Sequence, residues 1–290
     1  MQTNPIIICT SSYVRTTKAT AGIAKAIVET LDQLGIEHME LQNTNDYWCR
    51  DYMPVQLFED GTYSKYTYRP DYLWDEEPKR PYITNQSDAC KGLDLFVPTD
   101  MGIIFDGGNY VRCNGKVIMT DKIFMENPQW SAEELLRHLH HALCADIVII
   151  PWDMRDPCGH ADGMVAPLDD GRLLLNNYVQ DKRNKAFYKR LHKILDAHFD
   201  VVDLSFNCKL EPDSWCYLNF LSLPNAILLP VLSRNFDCAN DIEAIRVMQA
   251  LFPGKQIIPI YAQPLIKDGG ALHCITWEYI PNKQHIIPSL

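Results

Sequence analysis

Five turn residues, Asp60, Asn114, Asp170, Asn225 and Asn282, stand 54, 56, 55 and 57 residues apart. Each lies within a segment that reads as a β-hairpin, two alternating or apolar runs round a polar turn. The segments are RDYMPVQLFEDGTYSKYTY, FDGGNYVRCNGKVIMTD, HADGMVAPLDDGRLLLNN, YLNFLSLPNAILLPV and HCITWEYIPNKQHII. A near-constant period of this size marks one supersecondary unit repeated along the chain. Helix-period segments fill the intervals: Thr17 to Leu34, 131–144, 181–199 and 238–252. Ser131 is placed to cap the second, and in the third Ala186, Leu191, Leu195 and Phe199 are the inward candidates. A short apolar strand follows each helix: IEHMEL, DIVIIPW, DVVDLSF and QIIPIYA. The unit is therefore hairpin, helix, strand. The fifth hairpin has no helix after it, but IIICT and the helix at 18–34 supply one from the other end, so the two ends are expected to complete one blade. The Pro- and charge-rich residues 75–100 read as an inserted loop.

The fold class expected from this pattern is α/β, a five-bladed propeller formed by residues 1–290 as a single domain. In such a ring equivalent repeat positions converge on the axis. Eight residues before each turn stand Tyr52, Asp106, Asp162, Tyr217 and Cys274. Asp51 and Asn219 lie one and two residues from this register, and His160 two before Asp162. Acids, a histidine, an amide and a thiol are thus expected at one end of the channel.

Composition narrows the partners. At 47% hydrophobic and 22% charged, the 290-residue chain has the balance of a globular protein with a sizeable core. A net charge of −10 argues against nucleic acid, whose phosphates it would repel. No apolar run is long enough for a membrane span, and the N-terminus lacks the pattern of a signal peptide. A cytoplasmic location is the expectation, with the ten scattered cysteines as free thiols. A homodimer is a reasonable default.

A thiol beside a histidine and carboxylates suits nucleophilic catalysis. Clustered carboxylates repel one another unless a cation joins them. A planar guanidinium matches carboxylate oxygens in pairs and would present its central carbon to the sulfur.

Four motifs then carry a resemblance across nearly the whole chain. NDYWCRD (45–51), FDGGNYV (105–111), CGHADG (158–163) and GGALHCIT (269–276) are similar, in the same order, to motifs of agmatine deiminases and bacterial peptidylarginine deiminases. The resemblance implies the pentein fold, in agreement with the turn spacing. It implies that Cys274 is the nucleophile and His160 the general acid/base. Asp51 and Asp162 would grip the guanidinium nitrogens, and Asp106, where the family commonly has Glu, would orient His160. Trp48 and Asn219 join the substrate-binding candidates. After HCIT this chain has Trp277 and Glu278, where agmatine deiminases usually continue with glutamines. The expected substrate is a small cationic guanidino compound, agmatine or an arginine derivative, converted to its ureido analogue and ammonia without cofactor or metal.

Each of these residues also has a plainer reading. Cys274 alone would be a buried structural thiol, His160 a hydrogen-bonded loop residue, and Asp51 a local partner of Arg50. Asp106 could stabilise the turn at Gly107 and Gly108. Arg69 in TYRPDYLW either clamps a substrate carboxylate or is a surface residue before Pro70. Cys49 fits the core or the mouth equally. His138, His140 and His141 read as a solvated helix face. Two alternatives to hydrolysis stand: transfer of the amidino group to an amine, and a non-catalytic binding module. An added amine acceptor separates the first; the retained Cys and His set opposes the second.

Overall fold

The computed structural model describes residues 6–58 and 60–281. In chain order, β1 (Ile7–Ser11), α1 (Lys18–Leu34) and β2 (His38–Leu41) precede β3 (Val55–Phe58), β4 (Thr62–Thr67) and β5 (Phe96–Ile104). Then come β6 (Val111–Cys113), β7 (Lys116–Thr120), α2 (Ala132–Leu143) and β8 (Asp146–Ile150). The next repeat holds β9 (Val165–Pro167), β10 (Leu173–Leu175), α3 (Lys185–Asp196) and β11 (Val201–Asp203). Last are β12 (Leu221–Ser222), β13 (Ala226–Val231), α4 (Ala239–Leu251), β14 (Gln256–Tyr261) and β15 (Thr276–Tyr279).

Among the described residues these strands form five three-stranded sheets of one design. Each central strand pairs antiparallel with one neighbour and parallel with the other, as in β6–β7–β8 and β12–β13–β14. A tight turn can join only the antiparallel pair; parallel strands need a crossover, which the helices provide. Two central strands are apolar runs because both faces are covered: all six residues of β13 are buried, and all three of β10, whereas β4 (TYSKYT) is mixed and ends exposed.

The hairpin turns follow from local chemistry. Between Cys113 and Lys116 only Asn114 and Gly115 intervene, both left-handed at φ 48° and 74°. That is the backbone of the tight hairpin turn that Asn-Gly favours. Asp60, Asp170 and Asn225 likewise fall between paired strands. Asn282 and the second run of the fifth hairpin lie outside the described residues. β15 instead pairs antiparallel with β1, from Ile7↔Tyr279 to Thr10↔Thr276, and β1 pairs parallel with β2. The expectation that the two ends build one sheet is met by that pairing.

By internal contacts the described residues divide into two compact units. The first comprises Met1–Gly107, Ile123–Ala145 and Ile275–Leu290, and holds sheets β15–β1–β2 and β3–β4–β5 with α1 and α2. Thr17 caps α1 through the Thr20 amide, and Gly35 ends it at φ 66°. Ser131 and Glu134 form a reciprocal capping box on α2. Residues 75–100 are not simply a loop. Short helical turns at Asp71–Trp74, Glu77–Tyr82 and Gln86–Ala89 lead into β5, which begins at Phe96. Pro78 and Pro81 prevent a long helix there, so these turns make the crossover between β4 and its parallel partner β5.

The second unit, Gly108–Lys122 and Asp146–Cys274, holds the other three sheets with α3 and α4. Its core joins Val111, Ile118, Val148 and Leu173 to Leu191 and Leu195 of α3 and to Phe199. Each such leucine contributes about 1.5–3 kcal/mol by burial. Ala186, expected inward, is exposed; the larger Phe187 packs on the core in its place. A helix orients its buried stripe by the bulkier apolar side chain, since more area leaves water.

Candidate active site

The register positions occupy one kind of local structure, a single tight turn just before a hairpin's first strand. Tyr52 ends the turn Cys49–Tyr52 before β3, Asp162 lies in Ala161–Gly163 before β9, and Tyr217 in Pro212–Leu218 before β12. Asp106 immediately precedes the turn Gly107–Asn109, and Cys274 lies in the turn 272–275 that leads into β15.

In the second unit these turns bring four predicted residues together. The Cys274 thiol faces Asp162 Oδ2 at 3.8 Å, and Asn219 Nδ2 donates to the sulfur at 3.2 Å. Cys274, His160, Asp162 and Asn219 line one cavity of about 970 Å³. They are only 7%, 6%, 5% and 1% exposed, so charges there are screened far less than at the surface. Asn219 does more than line the cavity. Its Oδ1 accepts from the amides of Ala271 (3.1 Å) and Cys274 (3.3 Å), and its backbone carbonyl from that of His273 (3.1 Å). One side chain thus fixes the Cys274 loop and places an N–H on the sulfur, an interaction that favours thiolate. Tyr217, in the same register, turns inward instead and donates to Asp241 at 2.8 Å.

The loop carrying His160 and Asp162 is held at several backbone groups. Asp156 accepts from the amides of Cys158 (2.9 Å) and His160 (3.0 Å). Lys122, fully buried, donates to the Cys158 carbonyl at 2.9 Å, and Thr120 to that of Gly159 at 2.6 Å. Gly159 has φ 65°, and a Cβ there would come within 2.7 Å of Lys122 and 2.9 Å of the Trp152 ring. Only glycine satisfies both the angle and the approach. Sequence reading missed Asp156, Lys122 and Thr120, because side-chain bonds to a loop backbone leave no periodic trace. It also missed His273, whose Nδ1 lies 2.7 Å from Asp162 Oδ2. Its position beside Cys274 was the available signal.

The first unit carries Asp51, Asp106, Trp48 and Arg69. Asp51 and Asp106 are buried, at 4% and 1% exposure. A Cβ on Gly107 would fall 2.0 Å from the Arg50 carbonyl, so glycine is required for the turn after Asp106 to approach the turn of Asp51. Tyr66 OH ties that turn by donating to the carbonyls of Asp51 and, at 2.9 Å, Met53. Half-buried Trp48 donates its amide to Asp46 Oδ1 at 2.9 Å. Burial, with the Asp106 charge adding to it, pushes the Asp46 carboxyl up to about 7. Arg50 pairs with Glu278, and Trp277 donates to the Pro54 carbonyl at 2.9 Å. The two residues where glutamines usually stand thus frame the motif from β15.

Cys49 is settled as a core residue: it is fully buried, and burial raises its thiol pKa well above the ordinary value. Arg69 is exposed and stacks over Trp74, its guanidinium carbon 5.4 Å from the ring centre. His140 and His141 are exposed on α2, while His138 contacts the Met101 carbonyl at 2.9 Å.

The chain is 23% identical to an agmatine deiminase of Pseudomonas putida over 91% of its own length and 82% of that protein's. It is 24% identical to one from Pseudomonas aeruginosa over 94% and 82%. Among solved structures it resembles the agmatine deiminase of Enterococcus faecalis, with a TM-score of 0.73, 17% identity, and coverage of 97% of this chain and 94% of that one. The agmatine deiminase of C. jejuni gives 0.71 at 15% identity, covering 95% and 92%. These likenesses carry the fold: it is the five-bladed α/β propeller of the pentein class. The model of the Porphyromonas-type peptidyl-arginine deiminases matches residues 2–280, and this chain belongs to that family.

Proposed function

We propose that the chain, acting as one catalytic domain, hydrolyses the guanidinium of a small substrate such as agmatine or an arginine derivative. The products are the ureido compound and ammonia. The observation that carries this reading is a buried thiol with an amide N–H at 3.2 Å and a carboxylate at 3.8 Å, on a cavity wall shared with a histidine.

A carboxylate 3.8 Å from the thiol opposes its ionisation; a bound guanidinium offsets that charge and faces its carbon to the sulfur. The thiolate attacks that carbon and forms a C–S bond. The departing nitrogen takes a proton from His160 and leaves as ammonia. Water then gives a proton to His160 and adds to the same carbon, and the C–S bond breaks to restore the thiolate. Proton transfer of this kind contributes about 10²–10⁴-fold, and holding carbon and sulfur in line supplies much of the rest. By its motif Asp51 serves as a second guanidinium-binding carboxylate and Asp106 takes a catalytic part. Trp48 and Arg69 are the candidates for the rest of the substrate, with Arg69 suited to a carboxylate.

Acid-quenching the enzyme during turnover and mapping its peptides tests the covalent step. An amidino adduct should appear on the peptide bearing Cys274 and on none of the other nine cysteines, given ten in the chain. Sustained turnover with that peptide unmodified at every quench time, or with the adduct elsewhere, would refute the assignment.

A further inference from the structure

Asp162 Oδ2 serves two neighbours at once. It lies 3.8 Å from the Cys274 sulfur and 2.7 Å from His273 Nδ1. His273 is adjacent in sequence to Cys274, and its amide is fixed on the Asn219 carbonyl at 3.1 Å, so the backbone that carries the imidazole is anchored. A carboxylate accepts hydrogen bonds and cannot donate them, so the ring presents Nδ1–H to the oxygen closest to the sulfur.

The consequence is electrostatic. An anionic oxygen that near a buried sulfur disfavours thiolate, and a donor on the same oxygen draws its charge away. The bond also fixes the carboxylate plane, leaving Oδ1 as the oxygen not engaged by Nδ1. We infer that His273 is a positioning residue, which through Asp162 sets both the ionisation of Cys274 and the orientation of the carboxylate that grips the substrate.

The part concerning substrate rests on the proposed hydrolysis; the part concerning the thiol does not. The same cavity is also lined by ionisable residues that belong to other pairs, among them Arg155 with Asp153 and Asp181, and by Lys182, Arg183, Lys209 and Glu211. From the 158–163 loop Asp162 faces the sulfur at 3.8 Å, and His160 lines the same cavity. The turn ending at Asn219 contributes a neutral amide, and its acid, Asp213, is engaged by Gln263 at 3.2 Å.

The test reads alkylation of Cys274 by iodoacetamide against pH, quantified on its own peptide, in folded wild type, His273→Ala and His273→Asn. His273→Ala should move the profile upward by about one pH unit, slowing alkylation roughly tenfold near neutrality. His273→Asn, whose amide nitrogen can replace Nδ1–H, should recover most of the difference. Adding Asp162→Asn should cancel the effect of His273→Ala, because the charge being offset is then gone. With a turned-over substrate, His273→Ala should raise KM more than it lowers kcat. A purely structural histidine would lower the Tm without moving the alkylation profile. Superimposable profiles for wild type and His273→Ala, or an effect that persists undiminished beside Asp162→Asn, would overturn the assignment. Because alkylation needs no turnover, that failure is separate from failure of the hydrolysis itself.

Discussion

Cys274→Ala protein is expected to fold normally and release no measurable ammonia from any guanidino compound the wild type consumes. The reaction as derived has no route around the C–S bond, so the loss should be on the order of 10⁴-fold or more. Folding should survive because the side chain is small and no disulfide depends on it: all ten cysteines are free thiols. Its packing loss is one sulfur at a cavity wall. Circular dichroism and thermal melting check the fold, and ammonia release the activity. Cys144→Ala, altering an exposed thiol, is the matched control and should keep full turnover. Equal activity in both variants would remove Cys274 from the mechanism.

His160→Ala should lower kcat by about 10²–10⁴-fold while leaving the thiol able to react with iodoacetamide. In the proposed reaction the histidine acts on the departing nitrogen and the incoming water, and the sulfur keeps its Asn219 N–H at 3.2 Å without it. The expected signature is a flattened pH–rate profile, with the limb due to the acid/base missing. Stopped turnover together with a lost Tm would instead make His160 a structural residue of the 158–163 loop. The backbone bonds of that loop argue against such a loss, because Asp156, Lys122 and Thr120 hold it without the imidazole.

The repeat was legible because it is written in residues with hard backbone preferences. Asn114 and Gly115 adopt left-handed angles that few other pairs tolerate, and the turn repeats where the sheets require it. The buried central strands β10 and β13 were legible for a related reason, since a strand covered on both faces is apolar throughout. Pairing between distant segments was less so. The helix missing after the fifth hairpin says that the two ends share a blade, but not which strands pair or in what register, which the antiparallel run from Ile7↔Tyr279 supplies. The crossover at 71–95 was hidden because its prolines erase the helical period.

At the site, one register placed Asp162 and Cys274, and its near neighbour Asn219, on the same cavity. The same register could not say that Tyr217 turns to Asp241, a choice made by packing rather than position. Nor could it rank His273, which reads as part of a motif until its 2.7 Å contact with Asp162 is seen.

The most direct measurement of the central claim is product analysis on purified protein given agmatine, arginine and substituted guanidines separately, with Cys274→Ala as control. Ammonia and ureido product should appear in equal amounts from at least one compound, and from none with the variant. A new guanidino product formed only when an amine is added, without ammonia hydrolysed from the substrate, would contradict hydrolysis in favour of amidino transfer. Undiminished ureido formation by Cys274→Ala would contradict the covalent mechanism.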